Sequence, residues 1–217
     1  AINAKEIYAN PAATQALLDD SSVDIGAWLA DEVGIEFNEE ESSAFITGNG
    51  VEKPMGIAAY TMVANASYAW GKVGYITSGH ATLINNADKI IDLQHALKSI
   101  YRNGASFLMN DLTLAVVRKL KNGQGDYLFV PGLTAGAVDT LLGKPIEIDD
   151  NIADIAANSY SVFFGNFKRA YTIIDRQGTR VLRDPFTNKP YVHFYTTKRV
   201  GGGITMFEAI KALKVSA

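Results

Sequence analysis

At 217 residues, 47% hydrophobic and 20% charged, the chain is long enough to bury a sizeable core in one large or two small domains. The absence of cysteine excludes disulfides and thiolate metal sites; no apolar run reaches the ~18 residues of a membrane span and no basic-then-apolar signal opens the chain, so it reads as soluble and unprocessed for export. The net charge of -3 conceals an asymmetry: residues 1–50 carry ten acids and one base, residues 51–165 ten and nine, and residues 166–217 three and ten. The two ends are electrostatic complements that either pack within one subunit or meet between subunits.

Ala1–Ala9 is strand-like through Ile2, Ala4 and Ile7, and Asn10-Pro11 is expected to open a short helix over Ala12–Leu18. Ser21–Gly50 reads as one long acidic helix. Ser21 or Ser22 is its expected N-cap, with Asp24 completing a variant capping box. Val23, Ala27, Ala30, Phe37, Ala44 and Phe45 form the expected apolar stripe, with Asp31, Glu32, Glu36, Glu39, Glu40 and Glu41 between them. Thr47-Gly48-Asn49-Gly50 supplies a left-handed stop. About 26 helical residues would span roughly 39 Å.

Val51–Ile57 is an extended connector, and Ala58–Thr77 suits loops and short strands. Asn85–Asp88 caps an amphipathic helix with Ile90, Ile91, Leu93, Ala96, Leu97 and Ile100 as its stripe, stopped at Asn103-Gly104. Ala105–Met109 is a buried strand. Asn110-Asp111 caps a further helix expected to face Leu112, Ala115, Val116 and Leu120 inward, with Arg118, Lys119 and Lys121 at its C-terminal end. Helices flanking a buried strand indicate an α/β or α+β core. Pro145–Ile148, Tyr160–Phe164 and Tyr171–Ile174 read as short strands, Arg176-Gln177-Gly178-Thr179 as a turn, and Tyr191–Val200 as an alternating strand. Gly201-Gly202-Gly203 is expected to bend the chain before a last strand, Phe207–Val215.

Catalytic and metal signatures are weak. His80, His95 and His193 fall on three different elements without ligand spacing. Ser78-Gly79-His80 lacks the setting of a nucleophile elbow. Asp149, Asp150 and Asp154 lack calcium-loop spacing and read as a solvated loop, and neither Gly48-Asn49-Gly50 nor Gly123-Gln124-Gly125 is followed by the Lys-Ser/Thr of a phosphate cradle. Arg169, Arg176, Arg180, Arg183, Lys189, Lys198 and Arg199 lie near Tyr171, Phe186, Tyr191 and Phe194 and so imitate a base-stacking surface. A pI of about 5.6 and the acidic helix as a nearer counter-charge disfavour nucleic-acid binding.

Taken in order, Asn10–Asp20, the acidic helix ending Phe45–Gly50, Lys53-Pro54-Met55-Gly56-Ile57, Phe107–Asn110, Leu141–Ile146, Phe164–Phe167, Arg183–Phe186 and Phe194–Gly202 resemble the tailed-phage major capsid proteins with the HK97 fold. The likeness runs from about Lys5 to Val215. It implies an α+β, HK97-like fold: a long spine helix and β-sheet in a peripheral domain, built from residues 1–77 and 167–217, and an α/β axial domain over 78–166. The family's N-terminal arm and extended hairpin have no counterpart in the sequence; Ala1–Ala9 would be the strand leaving that hairpin.

The resemblance implies a structural, non-enzymatic protein without cofactors or metal, made in the bacterial host cytoplasm and located in the virion. Its partners would be copies of itself, as hexamers and pentamers, and packaged double-stranded DNA bound without sequence specificity, with no membrane. Subunit contacts are expected at Asp31, Glu36 and Glu40 of the spine, at Arg176, Arg180 and Arg183 of the basic strands, and at Gln124, Tyr127 and Phe129 of an axial loop. An acidic spine facing the lumen would repel DNA. Some relatives crosslink a hairpin lysine to an asparagine with the help of a glutamate; that lysine is absent and Thr196-Thr197 stand near the glutamate's place, so no crosslink is expected. An encapsulin-like compartment shell is the alternative within the fold, and a small hydrolase the alternative outside it.

Overall fold

A computed structural model describes residues 2–121, 124 and 140–217. In chain order the elements are β1 (Lys5–Ala9), β2 (Ala12–Thr14), α1 (Gln15–Asp20), α2 (Ile25–Thr47), β3 (Met62–Ala64), β4 (Val73–Thr77), α3 (Asp88–Ala96), α4 (Ser99–Arg102), β5 (Ser106–Met109), α5 (Asp111–Arg118), β6 (Thr140–Leu141), β7 (Lys144–Ile148), β8 (Tyr160–Gly165), α6 (Phe167–Ala170), β9 (Tyr171–Asp184), β10 (Tyr191–Ile204) and β11 (Ile210–Lys214). The chain divides into two compact units, residues 1–56 with 173–203, and residues 57–172 with 204–217. Among the described residues no helix is long and apolar enough to cross a membrane.

In the first unit β10 is the organising strand. Its second half pairs antiparallel with β1, Lys5 opposite Val200 and Ala9 opposite Thr196, and its first half with β2, Tyr191 opposite Thr14. β9 also pairs with β10. The alternation expected of Tyr191–Val200 is present: Val192, Phe194, Thr196 and Val200 are buried. The expected helix over Ala12–Leu18 is corrected, because Ala12–Thr14 is drawn into the sheet by β10 and the helix starts only at Gln15. Thr14 caps it, its hydroxyl accepting from the Leu17 N–H at 3.3 Å.

The long helix is α2, 23 residues or about 35 Å. Its cap differs from expectation: the Asp24 carboxylate accepts from the Ala27 N–H at 3.1 Å, while the Ser21 hydroxyl is engaged with Val23. The buried set is Val33, Phe37, Ala44 and Ile46. Val23 is exposed, as are Ala27 and Ala30, because only a narrow line of the helix packs. The stop also works differently. Gly48 has φ -58°, and it must be glycine because a Cβ would collide with the Pro54 and Ala44 carbonyls; Gly50, at φ +77°, takes the left-handed position. Gly34 sits mid-helix with nothing within 4 Å of where its Cβ would be. Gly34→Ala is therefore expected to stabilise the protein by about 0.8–1 kcal/mol in denaturant titrations, and a destabilised variant would contradict the packing described.

Two further expectations fail in this unit for one reason, strand pairing. β9 runs without interruption through Arg176–Thr179, where a turn was expected, and β10 continues through Gly201–Gly203, where a bend was expected. A Cβ on Gly201 would stand 2.8 Å from the Asn3 carbonyl oxygen. That glycine admits the N-terminal segment alongside the strand rather than bending it.

The second unit holds a seven-stranded sheet in the order β3-β4-β11-β8-β5-β7-β6. β11 lies parallel to β4 and antiparallel to β8, and β5 parallel to β7. These pairings place 62–77 and 204–217 in this unit, whereas the sequence reading grouped them with the long helix. The expected last strand begins later, at Ile210, after a 3-10 turn over Phe207–Ala209.

Ile90, Leu93, Leu97, Phe107, Met109, Leu114, Val117, Val162, Phe164 and Leu213 form one core cluster, in which the Phe107 and Phe164 rings lie 4.5 Å apart. The helix expected to run to Asn103 is broken at Leu97, whose backbone is extended. Arg102 satisfies the freed carbonyls, donating from Nε to Leu97 at 2.8 Å and from a terminal nitrogen to His95 at 2.9 Å. Ile100, beyond the break, is exposed, and so is Ile91 on the outer side of α3. Asn110 caps α5 as expected, accepting from Thr113 N–H at 2.7 Å, but the buried side chains are Thr113, Leu114 and Val117, with Leu112 and Val116 outward.

Candidate functional site

The charge asymmetry is resolved residue by residue. Among the described residues, two cations are ion-paired with α2 within the first unit. Lys198 Nζ lies 2.6 Å from Glu41, both side chains largely buried, and Lys53 Nζ lies 3.5 Å from Glu40 with both exposed. Glu40, Glu41, Glu52, Lys5 and Lys53 share the wall of a 280 Å³ cavity with Tyr8 and Val200.

The three arginines singled out from the sequence behave differently. Arg183 lines a groove with Asp19, Ser21, Asp24 and Phe194, at the start of α2 in its own subunit. Arg176 and Arg180 stand exposed on β9. Among the described residues neither Arg176 nor Arg180 is ion-paired, and neither Asp31 nor Glu36 on α2 is. One subunit thus presents an acidic helix face and a basic strand face that do not neutralise each other. Gln124 lies in a turn; Tyr127 and Phe129 fall outside the described residues.

Exposed apolar side chains accompany these charges, and sequence reasoning missed them. Trp28 and Ile35 on α2 are 52% and 61% exposed, and Leu182 on β9 is 63% exposed. The signal was present: Trp28 and Ile35 are seven residues apart, two helical turns, on the side opposite Val33 and Phe37. Phe186, 80% exposed, tips the turn between β9 and β10. Asp184 anchors that turn by accepting from the Thr187 hydroxyl and the Phe186 and Thr187 N–H groups. Those bonds hold its carboxyl below the usual carboxylate range, the Thr187 hydroxyl contributing most. A depressed value means that this support is present above the ordinary carboxylate range and is lost as pH falls through the lowered value.

Several other polar groups have structural partners, whereas both ring nitrogens of His193 are buried without a hydrogen bond. Buried Lys211 sets its Nζ 4.2 Å from the Tyr68 ring centroid, and burial pushes its ammonium group down. Asp154 accepts from Asn110 Nδ2 at 2.6 Å, and Asp149 from the Asn151 backbone and side chain at 2.9 Å. Among the described residues no group of three or more His, Asp or Glu is placed to hold a metal ion.

Comparison with known proteins gives the family of the chain. The family model described as "Phage capsid family" matches residues 1–215. A search of curated protein sequences finds no match. Among solved structures, the capsid of an empty GTA particle and that of a native GTA particle, both computed with C5 symmetry, are each 46% identical over 100% of this chain and 74% of theirs, with a TM-score of 0.94. The SrpI encapsulin of Synechococcus elongatus PCC 7942 shares the fold at 12% identity and a TM-score of 0.68, over 98% of this chain and 74% of its own. The mixed helix-and-sheet architecture is that of the HK97-like shells, and the chain belongs to the phage capsid family.

Proposed function

We propose that this capsid shell protein is the major capsid protein of a tailed bacteriophage or prophage, whose copies close into an icosahedral shell around double-stranded DNA. The observation that carries the reading is the whole-chain match to the capsid of a GTA particle. Exposed, unneutralised acidic and basic faces on one subunit suit such an assembly, because many weak contacts repeated by symmetry become strong as the shell closes. In this reading the first unit is the peripheral domain, the second the axial domain, and the segment containing Gln124, Tyr127 and Phe129 gathers at the five- and six-fold centres. DNA is enclosed rather than gripped, in keeping with a net charge of -3.

The test is electron microscopy of the expressed protein, joined to nuclease protection of particles recovered from cells. Closed shells of uniform diameter holding nuclease-resistant double-stranded DNA are the expected result. Monomers or small oligomers alone would overturn the shell. Closed shells filled with protein and free of DNA would instead favour a compartment shell, the reading that the shared encapsulin fold supports.

A further inference from the structure

We infer that the face of β9 carrying Ile174, Arg176, Gly178, Arg180 and Leu182 is a docking surface for the outer face of α2, Trp28, Asp31, Ile35 and Glu39, on a second copy of the chain. The inference rests on the shell reading and names the contact that builds it.

Strand alternation puts Ile174, Arg176, Gly178, Arg180 and Leu182 on one side of β9. Ile174 and Leu182 are 39% and 63% exposed, with the two arginines between them. On α2 the line opposite the buried Val33 and Phe37 carries Trp28 and Ile35, with Asp31 and Glu39 alongside. Both faces therefore combine apolar centres with charge, of opposite sign. The spacings agree: Asp31 to Glu39 is about 12 Å along a helix, and Arg176 to Arg180 about 13 Å along a strand. The unpaired charges argue for contact between copies, since the two sets do not pair within one.

Gly178 adds an independent mark. Most of the described glycines either have positive φ or sit where a Cβ would press on a neighbour; Gly178, like Gly34 of α2, has neither property, with nothing within 4 Å of its missing Cβ. Its own subunit gains nothing from a glycine in mid-strand, which costs strand stability. The bare backbone between Arg176 and Arg180 leaves a slot for an apolar side chain, and Ile35, midway between Asp31 and Glu39 on the helix, falls level with it when the two charge pairs are matched. The contact joins two different surfaces, a head-to-tail arrangement of the kind that closes rings. The acids of α2 then face a neighbouring subunit rather than the packaged DNA.

The test uses two charge-reversed forms of the whole protein, Asp31→Lys/Glu39→Lys and Arg176→Glu/Arg180→Glu, each expressed alone, then together, then combined in one chain. Folding is followed by thermal melting and assembly by electron microscopy and sedimentation. Each form alone is expected to fold and to lose at least tenfold in particle yield. Co-expression restores particles in part, because the reversed helix of one form fits the reversed strand of the other and the two can alternate at all the contacts of a six-membered ring and at four of the five in a five-membered one. Restoration only when both changes share one chain would place the contact within the subunit and overturn the inference, as would undiminished yield from either form alone. Gly178→Val gives a second reading should a charge variant fail to fold: an unchanged or higher melting temperature with particle yield reduced at least tenfold supports the slot, and normal yield removes it. Failure of the unaltered protein to form particles would count against the shell reading itself.

Discussion

Phe164→Ala is expected to lower the stability of the second unit by about 4 kcal/mol, the largest loss of any single truncation considered for this chain. Phe164 is fully buried on β8 and packs 4.5 Å from Phe107 on the adjacent β5. Truncation removes its transfer free energy, leaves a void between sheet and helices, and deletes an aromatic pair worth about 0.5–1.5 kcal/mol beyond its area. Neighbouring Val162 and Leu213 lie in the centre of the sheet, where relaxation into the void is limited. Denaturant unfolding of the variant measures the effect, and a loss below about 1 kcal/mol would mean that the cluster is loosely packed.

Lys198→Met carries the second large expectation, a loss of about 2–4 kcal/mol. The Lys198–Glu41 pair is at 2.6 Å with side chains only 16% and 12% exposed, so removing the cation strands a carboxylate that water reaches poorly. The double variant Lys198→Met/Glu41→Leu is expected within about 1 kcal/mol of the parent, because desolvation offsets most of the Coulombic gain of a buried pair. A double-mutant cycle in urea separates the two terms. Equal losses in the single and double variants would show that the ion pair is not what joins α2 to β10. By contrast, Glu40 and Lys53, both half-exposed, should contribute at most about 1 kcal/mol.

Much of the architecture was legible because it rests on local rules. The acidic helix, the Asn110 cap, the buried Ser106–Met109 strand and the alternation of Tyr191–Val200 all follow from period, capping and burial within a short window. The departures came from partners distant in sequence. Ala12–Thr14 is a strand because β10 lies beside it, and β9 passes straight through Gly178 because pairing with β10 outweighs a local turn signal. The break at Leu97 has no local marker; Arg102 makes it tolerable from five residues away.

The proposed interaction surfaces were half legible. Charge counting identified both the acidic helix and the basic strands, and Lys198 with Glu41 shows that part of the complementarity is spent inside the subunit. What counting alone left out was that Trp28, Ile35 and Leu182 face outward, since apolar residues at helical or strand period are ordinarily assigned to a core. A helix that buries only Val33, Phe37, Ala44 and Ile46 over 23 residues leaves those side chains without partners in its own unit. Exposed aromatic and aliphatic groups ringed by charge have the composition of a protein interface, an apolar centre with a polar rim.

The most direct measurement is a cryo-electron microscopy reconstruction of the assembled particle at side-chain resolution. The account predicts Arg176 and Arg180 of one subunit within about 4 Å of Asp31 and Glu39 on its neighbour, with Ile35 over Gly178. Closed particles in which the outer face of α2 and the Ile174–Leu182 face of β9 both remain bathed in solvent would contradict it.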